Sequence, residues 1–256
     1  DTLVGVESVI ITGSGFADTL IGSAGDDQIT DGPIGSTGAD SLAGGAGNDN
    51  FFVWGSGSDT IDGGDGTDRL VLDYATLQPN SAVNVTLAGV DAAAGAVIEP
   101  GAPFGSLSVS NVEIIEADLG NLGDQYAGSD GRDEVYGFDG NDSLAGGAGN
   151  DVLDGGSGSD SLWGGTGADK LKGGLGDDYL SAGDDNDLAQ GQDGNDSISL
   201  GAGNDLGYGG EGDDLLQGDE GNDVLRGENG NDVLRGGAGQ DTLEGGAGDD
   251  ALTLLL

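Results

Sequence analysis

From Gly128 to Thr253, an aliphatic residue recurs at almost every ninth position, usually between two polar or small neighbours. This alternation predicts very short strands in which one side chain points inward and the residues beside it point outward. Written nine to a line, the stretch gives fourteen blocks with no insertion or deletion. The inward residue holds the eighth place of its block, as in Leu144, Leu153, Leu162, Leu171, Ile198 and Leu225.

The first six places of each block predict a tight turn. They are dense in glycine, and glycine holds the fourth place in thirteen blocks, with Asp185 as the exception. Glycine readily adopts positive φ values, and asparagine tolerates them. A six-residue segment dense in glycine, with asparagine or aspartate at its fifth place as in Asn141, Asn150, Asn195 and Asn222, can therefore adopt the positive φ values that a tight turn needs.

The period also predicts how the strands assemble. Two blocks make one coil of eighteen residues, and successive coils stack. Blocks of odd rank then pair in one sheet and blocks of even rank in the other, with the eighth-place side chains between the sheets. We predict an all-β fold, a parallel β-roll or β-solenoid, stabilised by contacts between neighbouring coils. Seven coils at about 4.8 Å each give a rod roughly 34 Å long.

Aspartate occupies the sixth place of all fourteen blocks. On each edge of the roll, turns two blocks apart lie side by side, so their aspartates come close together. Calcium prefers six to eight oxygen ligands, and acidic glycine turns supply both carboxylates and carbonyls. One ion between each adjacent pair of turns gives about twelve calcium sites in this array. The candidate ligands are Asp133, Asp142, Asp151, Asp160, Asp169, Asp178, Asp187, Asp196, Asp205, Asp214, Asp223, Asp232, Asp241 and Asp250, with Asp124 just upstream.

An aspartate can instead cap its own turn through hydrogen bonds between its side chain and the backbone. That alternative suffices for a single aspartate. Fourteen aspartates in one register favour calcium, because glycine turns expose carbonyl oxygens at close range.

A less regular array precedes this one, at residues 13–71. Its sixth-place aspartates are nine residues apart, except across an insertion of Asp31 to Ile34 and one extra residue before Asp59. We expect these insertions to bulge outward and leave the stacking intact. Up to four more calcium sites are predicted here, with Asp18, Asp27, Asp40, Asp49, Asp59 and Asp68 as ligands.

The chain thus divides into four parts: a lead-in strand at 1–12, the irregular array at 13–71, a strand-rich connecting segment at 72–118 and the regular roll at 119–256. The connecting segment predicts strands at 82–90 and 106–117. A duplication is also visible: Val6-Glu7 stands eleven residues before Asp18, as Val112-Glu113 does before Asp124. Tandem copies of a lead-in strand and an array indicate a slice of a longer repetitive protein.

Composition agrees with folding that depends on metal. The chain has 57 glycines, and its 48 acidic and 6 basic residues give a formal net charge of −42. Self-repulsion keeps such a chain expanded. The binding energy of an ion whose site is absent from the unfolded chain becomes folding energy. We therefore expect disorder at low calcium and a folded roll at millimolar calcium. The acidic charge also disfavours nucleic acid and anionic membranes as partners.

The blocks resemble the nonapeptide G-G-x-G-x-D-x-U-x of the RTX (repeats in toxin) family, for example in Gly146-Gly147-Ala148-Gly149-Asn150-Asp151-Val152-Leu153-Asp154. The resemblance covers the second array and, less regularly, residues 13–71. It implies hemolysin-type calcium-binding repeats in a secreted, extracellular or cell-surface protein that leaves the cell by type I secretion. No apolar run reaches the length of a membrane span. Because the array runs almost to the last residue, we interpret the chain as a fragment of a larger protein.

Three functional interpretations stay open. The first is a structural or adhesive region of a large RTX protein, a surface layer or filament that calcium stiffens. The second is the carboxy-terminal calcium module of a secreted enzyme, similar to serralysin-like proteases or alginate epimerases. The third is an ice-binding module, which the lack of a threonine column disfavours. The absence of His and Cys removes the common nucleophilic and zinc systems, so we expect no catalytic site in this chain.

Irregular blocks suggest surfaces for self-association. Ala189 and Gly207 stand in the eighth place, where a large aliphatic residue belongs, which predicts a locally thin core. The apolar residues Leu188, Leu206 and Val224 fall on the outer side of the same sheet and could form a contact stripe. Leu252 to Leu256 at one end and Leu3 to Ile11 at the other could pair end to end. Asp154 with Lys172, and Arg226 with Glu244, are expected to be neighbours on adjacent rungs.

Overall fold

The computed structural model describes residues 8–33, 37–54, 58–73, 84–86, 96–98, 107–128 and 130–254. These ranges contain strands and turns and no helix. The chain winds as a parallel β-solenoid, which confirms the predicted fold class. The lead-in strand is described only at Ile10–Thr12, and Leu255 and Leu256 lie outside the described residues.

One sheet, sheet A, runs through both arrays and has twelve strands. In spatial order they are β1 Ile10–Thr12, β3 Gln28–Thr30, β5 Asn50–Val53, β7 Arg69–Asp73, β11 Ile114–Gly120, β13 Arg132–Phe138, β15 Val152–Ser157, β17 Lys170–Leu175, β19 Leu188–Asp193, β21 Leu206–Glu211, β24 Val224–Asn229 and β26 Thr242–Ala247. All neighbouring strands of sheet A are parallel.

Two further sheets lie opposite sheet A. Sheet B contains β2 Thr19–Ile21, β4 Ser41–Ala46, β6 Thr60–Asp65, β10 Leu107–Ser110 and β9 Ala96–Ile98. Sheet C contains β8 Asn84–Thr86, β12 Gln125–Ala127, β14 Ser143–Ala148, β16 Ser161–Thr166, β18 Tyr179–Asp184, β20 Ser197–Gly203, β22 Leu215–Gln217, β25 Val233–Arg235 and β27 Ala251–Thr253, with β23 Glu220–Gly221 beside β20. Only β9 and β10 pair antiparallel among the described strands.

The register of the second array follows the nine-residue period. Leu144 pairs with Leu162 in sheet C, and Leu153 with Leu171 in sheet A. Blocks of odd rank therefore pair in sheet A and blocks of even rank in sheet C, as predicted. Most strands are six residues long, because the ladder continues into the first three places of the following turn.

The two arrays are joined through sheet A. β7 of the first array pairs directly with β11, which pairs in turn with β13 of the second array. The connecting segment also supplies β8 to sheet C and β10 to sheet B. The strands expected at 82–90 and 106–117 therefore exist in part, and residues 99–106 between β9 and β10 lie outside the described residues.

The core consists of the inward side chains of the strands. In the second array the eighth-place residues Val135, Leu144, Leu153, Leu162, Leu171, Leu180, Ile198, Leu216, Leu225 and Leu234 are all buried. The outer neighbours of these residues are half-buried or exposed. Each coil thus contributes two aliphatic side chains, one from each sheet, to a narrow continuous core.

The block from Leu200 to Tyr208 fills the core in another way. Gly207 holds its eighth place, and Leu200, in the first place, is fully buried. A Cβ atom added to Gly207 would lie 3.2 Å from Cδ1 of Leu200 and 3.3 Å from Cδ2 of Leu225. The prediction of a thin core at Gly207 is therefore wrong. Leucine and glycine have exchanged places within the block, and the turn supplies the missing side chain.

The turns use positive φ at their second and fourth places, as at Gly147 and Gly149. The turn segments thus adopt positive φ as predicted, but at these places and not at the fifth-place residues Asn141, Asn150, Asn195 and Asn222. Their side chains instead accept hydrogen bonds from the next coil. Asn141 Oδ1 accepts from the amide of Ser159 at 3.0 Å, and Asn150 Oδ1 from that of Ala168 at 2.9 Å.

Candidate metal centres

The roll has two edges, which we name by the first place of their turns. Turns of even-rank blocks lead from sheet A to sheet C and form the uniform edge, whose first places are all glycine: Gly137, Gly155, Gly173, Gly191, Gly209, Gly227 and Gly245. Turns of odd-rank blocks lead from sheet C to sheet A and form the varied edge, with first places Gly128, Gly146, Gly164, Ala182, Leu200, Gly218 and Gly236.

The sixth-place aspartates point into the roll on both edges. All of those from Asp27 to Asp232 are buried, with at most 5% of each residue exposed. Asp18, Asp241 and Asp250 are half-buried, because they lie in the first or last described turns of their edges. A buried carboxylate costs much free energy unless hydrogen bonds or a cation compensate it.

One oxygen of each carboxylate is used to hold neighbouring coils together. Oδ1 of Asp160 accepts a hydrogen bond from the backbone amide of Asp142 at 2.8 Å, and Oδ1 of Asp169 one from Asp151 at 2.8 Å. The same bond recurs along both edges of the second array. It also joins the four same-edge pairs predicted in the first array. Every predicted pair of aspartates is therefore brought together.

In most of these carboxylates the second oxygen has no hydrogen bond. Oδ2 is buried and lacks a hydrogen bond in Asp49, Asp68, Asp142, Asp151, Asp160, Asp169, Asp178, Asp187, Asp196, Asp205, Asp214, Asp223, Asp232 and Asp241. Buried polar atoms almost always have a partner, so a regular series of exceptions indicates a missing ligand. A cation that prefers oxygen ligands would provide the missing partner of these atoms.

A first-place glycine leaves room beside most of the orphaned oxygens, the exceptions being those of Asp187 and Asp205, whose turns begin with Ala182 and Leu200. A Cβ atom on Gly155 would lie 2.5 Å from Oδ2 of Asp160 and 2.8 Å from the carbonyl oxygen of Gly173 in the next coil. Equivalent distances recur at Gly137, Gly191, Gly209 and Gly227. The cradle thus combines one carboxylate with a backbone carbonyl, a donor set that suits calcium. Within the described ranges no three carboxylates converge on one point, so carbonyl oxygens must complete any coordination sphere.

Burial disfavours the ionised form of these acids. It raises the pKa of Asp151 to about 8 and the pKa values of Asp142, Asp178, Asp187 and Asp214 to about 7. Carboxylates of neighbouring coils raise these pKa values further, whereas the amide hydrogen bond opposes the shift. A bound cation would favour the ionised carboxylate. Metal and proton therefore compete for the same oxygens.

At the start of the first array, aspartates cap their own turns instead. Asp18 Oδ2 accepts hydrogen bonds from the amide and the hydroxyl of Ser14, and these bonds lower its pKa. Asp27 Oδ2 accepts from the amide of Ser23. The alternative role of turn cap thus describes these two residues. In both turns the donor is the serine of the second place, Ser14 or Ser23.

Sequence reasoning missed Glu113 as part of this series. Its Oε2 accepts a hydrogen bond from the amide of Asp68 at 2.7 Å, so it takes the place of a sixth-place aspartate at the join between the arrays. The register of sheet A shifts by two residues here, because Ile115 pairs with the eighth-place Leu70 on one side and with the sixth-place Asp133 on the other. The glutamate side chain, one methylene longer than aspartate, reaches the amide across this shift. The duplicated Val-Glu pair was a signal that could have identified this residue.

The fold and these sites together define a metal-binding parallel β-roll. The sequence profile of the RTX calcium-binding nonapeptide repeat matches residues 10–32, 34–53, 55–73, 118–153, 154–189, 181–216 and 217–252. These matches cover well over half of the chain, so the chain belongs to this family. It is a calcium-binding RTX repeat region, and calcium is its ligand.

Comparison with known proteins adds little beyond the family. No curated protein matches the sequence. A crystal structure of a hyperactive, Ca2+-dependent, beta-helical antifreeze protein from an Antarctic bacterium is similar at 21% identity over 98% of this chain and 85% of that chain, with a TM-score of 0.29. A TM-score this low supports no argument about function. Within the described ranges, no helix is suited to crossing a membrane.

Proposed function

We propose that this chain is the structural region of a large secreted RTX protein, a rod that becomes rigid when it meets extracellular calcium. The observation that carries the proposal is the unbroken sheet A, which joins both arrays into one stack of coils with aspartate pairs along its edges. A region with this architecture suits an adhesin, a surface layer or a filament, in which length and stiffness are the useful properties.

We place the calcium ions between neighbouring turns. Each ion would take Oδ2 of a sixth-place aspartate and carbonyl oxygens of the adjoining turns. Twelve pairs in the second array and up to four in the first give up to about sixteen sites, with the ligands Asp18, Asp27, Asp40, Asp49, Asp59, Asp68 and every sixth-place aspartate from Asp133 to Asp250. The two first-array pairs that include Asp18 and Asp27 would rely on Oδ2 of Asp40 and Asp49, because Oδ2 of Asp18 and Asp27 accepts hydrogen bonds within its own turn. Asp124 pairs with Asp142 and would add one more. Each ion would offset two of the 42 negative charges and so relieve self-repulsion.

A calcium titration followed by far-ultraviolet circular dichroism tests this role. We expect a disordered chain in chelator and a cooperative rise of β structure below or near millimolar calcium, because the orphaned carboxylate oxygens then gain their ligand. Small-angle X-ray scattering on the same samples should report an expanded coil that becomes a more compact, rigid rod. Full β structure in chelator would contradict the proposed switch.

We also propose that the rods associate. Leu188, Leu206 and Val224 stand side by side on the outer face of sheet A, each half-buried. Leu252 and Leu254, at the end of the described roll, are 46% and 49% exposed. Edges of unpaired strands invite pairing with another chain. Analytical ultracentrifugation in calcium should detect concentration-dependent assembly, and a monodisperse monomer at high concentration would contradict it.

A further inference from the structure

Two clefts lie along one boundary of the roll, where sheet A turns into the uniform edge. The first has a volume of about 350 Å³ and is lined by Tyr136, Phe138, Asp154 and Lys172, among others. The second has a volume of about 300 Å³ and is lined by Gln192, Tyr208 and Glu228, among others. In both, the lining comes from the ninth place of one block and the second and third places of the next. The clefts are therefore two parts of one line along the roll, which we call the boundary groove.

Backbone strain coincides with this groove. The second place of the turn has positive φ and is usually glycine, but Phe138, Gln192 and Glu228 adopt φ values of 73°, 83° and 77° there. These are the only second-place side chains on the uniform edge of the second array, and each lines one of the two clefts. A bulky residue in the left-handed region is costly, and such strain is concentrated at functional sites. Stability alone would favour glycine at all three positions.

The first cleft has an aromatic wall and a polar floor. The rings of Tyr136 and Phe138 lie 6.5 Å apart, and Phe138 is 42% exposed. The Tyr136 hydroxyl donates a hydrogen bond to Glu134 at 2.6 Å, which fixes the ring. On the floor, Lys172 Nζ lies 2.8 Å from Asp154 Oδ2. A rigid aromatic wall beside a few convergent polar groups is typical of a ligand-binding site.

The charges and side chains that line the groove indicate which class of ligand it would bind. Its carboxylates, including Asp139, Asp193 and Glu211, outnumber its cations and would repel an anion. Carboxylates and amides bind vicinal hydroxyl groups well, and aromatic rings pack against the apolar face of a sugar ring. We propose that the boundary groove binds a neutral polysaccharide, with Tyr136 and Phe138 packing on one sugar and Tyr208 on another.

The geometry favours an extended chain over a single sugar. Tyr136 and Tyr208 occupy the same column of sheet A, four coils apart, or roughly 19 Å along the axis. The ninth-place residues between them are Asp154, Lys172 and Gln190, all polar. Successive sugar rings of an extended polysaccharide are spaced much like the rungs, which lie about 4.8 Å apart. One chain could therefore contact both clefts.

Binding to an array of neutral and anionic oligosaccharides, with the folded protein in saturating calcium, tests the inference. We expect at least one neutral oligosaccharide to bind, and Tyr136→Ala to weaken its affinity roughly tenfold because the fixed aromatic wall is lost. Phe138→Gly should weaken binding to a similar extent while leaving the fold at least as stable, because glycine relieves the strained φ. Tyr208→Ala should weaken the binding of long oligosaccharides more than that of short ones.

Tyr179→Ala is the matched control. Tyr179 is 41% exposed and lies on sheet C, away from the groove. Its removal should leave binding unchanged. The inference is overturned if no neutral oligosaccharide binds, if only anionic ones bind, or if Tyr136→Ala and Phe138→Gly bind as the parent does. Circular dichroism of each sample separates these outcomes from a failure to fold in calcium, which would instead contradict the proposed structural role.

Discussion

The two edges of the roll obey the same nine-residue pattern but depart from it at different places. On the uniform edge every first place is glycine, and the departures are the second-place side chains Phe138, Gln192 and Glu228. On the varied edge the first place changes to Ala182 and Leu200, and the second-place changes in the second array are Ser129 and Asp219. The side chains of Ala182 and Leu200 are fully buried, whereas the described second-place side chains are exposed.

The contrast separates two kinds of constraint on one glycine-rich turn. At the first place glycine is favoured by close approach, since on the uniform edge a Cβ there would meet the aspartate and the next coil. At the second place glycine is favoured by its positive φ, and a side chain causes strain but meets no carboxylate of its own turn. First-place changes therefore act on the core and the metal cradle. Second-place changes act on the surface.

Removing calcium should affect both edges at once and gives the largest effect. The buried aspartates of both edges have raised pKa values, about 8 at Asp151 and about 7 at Asp142, against an ordinary 3.8. The folded form therefore binds protons more tightly than the unfolded chain between about pH 4 and pH 8. In chelator, the tendency to fold should therefore fall as pH rises through this window. Circular dichroism in chelator should show more β structure at pH 5 than at pH 8, where the chain is expected to be disordered, and equal β structure at the two pH values would contradict this. Saturating calcium should reverse the order.

Leu200→Gly tests the exchanged block of the varied edge. Gly207 has no side chain to fill the space, so the variant should lose about 4 kcal/mol, as expected for a leucine removed from a packed core. Adding Gly207→Leu restores the usual arrangement and should recover most of that stability. Thermal unfolding in calcium measures both variants. If Gly207→Leu does not restore the stability of the Leu200→Gly variant, then the glycine at position 207 is not what allows a leucine at position 200.

The double variant Leu200→Gly, Gly207→Leu also tests whether a first-place side chain blocks calcium binding in its turn. The Cβ atom of Leu200 occupies the side on which other turns have only a hydrogen atom beside the aspartate. We expect the double variant to bind more calcium than the parent, as counted by equilibrium dialysis. An unchanged count would mean that a first-place side chain is compatible with the cradle.

Gly155→Leu places a leucine in the first place of a uniform-edge turn, as Leu200 stands on the varied edge. Here, however, no glycine in the eighth place makes room for it. Its Cβ would meet Asp160 Oδ2 and the carbonyl oxygen of Gly173, while the eighth place already carries Leu162. We expect a loss of about 3 kcal/mol from overpacking and a damaged cradle. Thermal unfolding should place this variant well below Ser159→Leu, a control in the exposed fifth place of the same turn. Similar melting of the two variants would argue against the close approach.

The smallest effect is expected at the second place. Glu228→Gly should stabilise the roll by about 1 kcal/mol, because glycine adopts positive φ without strain. Glu228→Ala is the control and should bring little gain, since alanine keeps the strain. A melting point that falls with glycine would show that Glu228 contributes contacts worth more than its strain costs.

Much of this fold follows from the sequence because its contacts are periodic. Once Leu144 and Leu162 are assigned to one place of the block, their pairing and the proximity of Asp142 and Asp160 follow. The exchange of Leu200 and Gly207 could not be predicted from the sequence. It depends on the fact that a side chain in the first place of the block reaches the core space beside the eighth place, which only the folded coil shows. The role of Glu113 was missed for a similar reason, since its partner Asp68 is 45 residues away. The boundary groove joins columns that only the folded coil places side by side.

The parallel stacking of coils gives the region an unusual response to force. Hydrogen bonds between coils run along the axis of the rod, so a pull on its two ends loads them one rung at a time. A coil of eighteen residues adds about 4.8 Å to the rod but releases roughly 60 Å of chain once it peels away. If calcium holds the rungs, its concentration sets the force at which peeling begins. Such a rod would act as a tether that lengthens more than tenfold under load and rewinds when the load is removed.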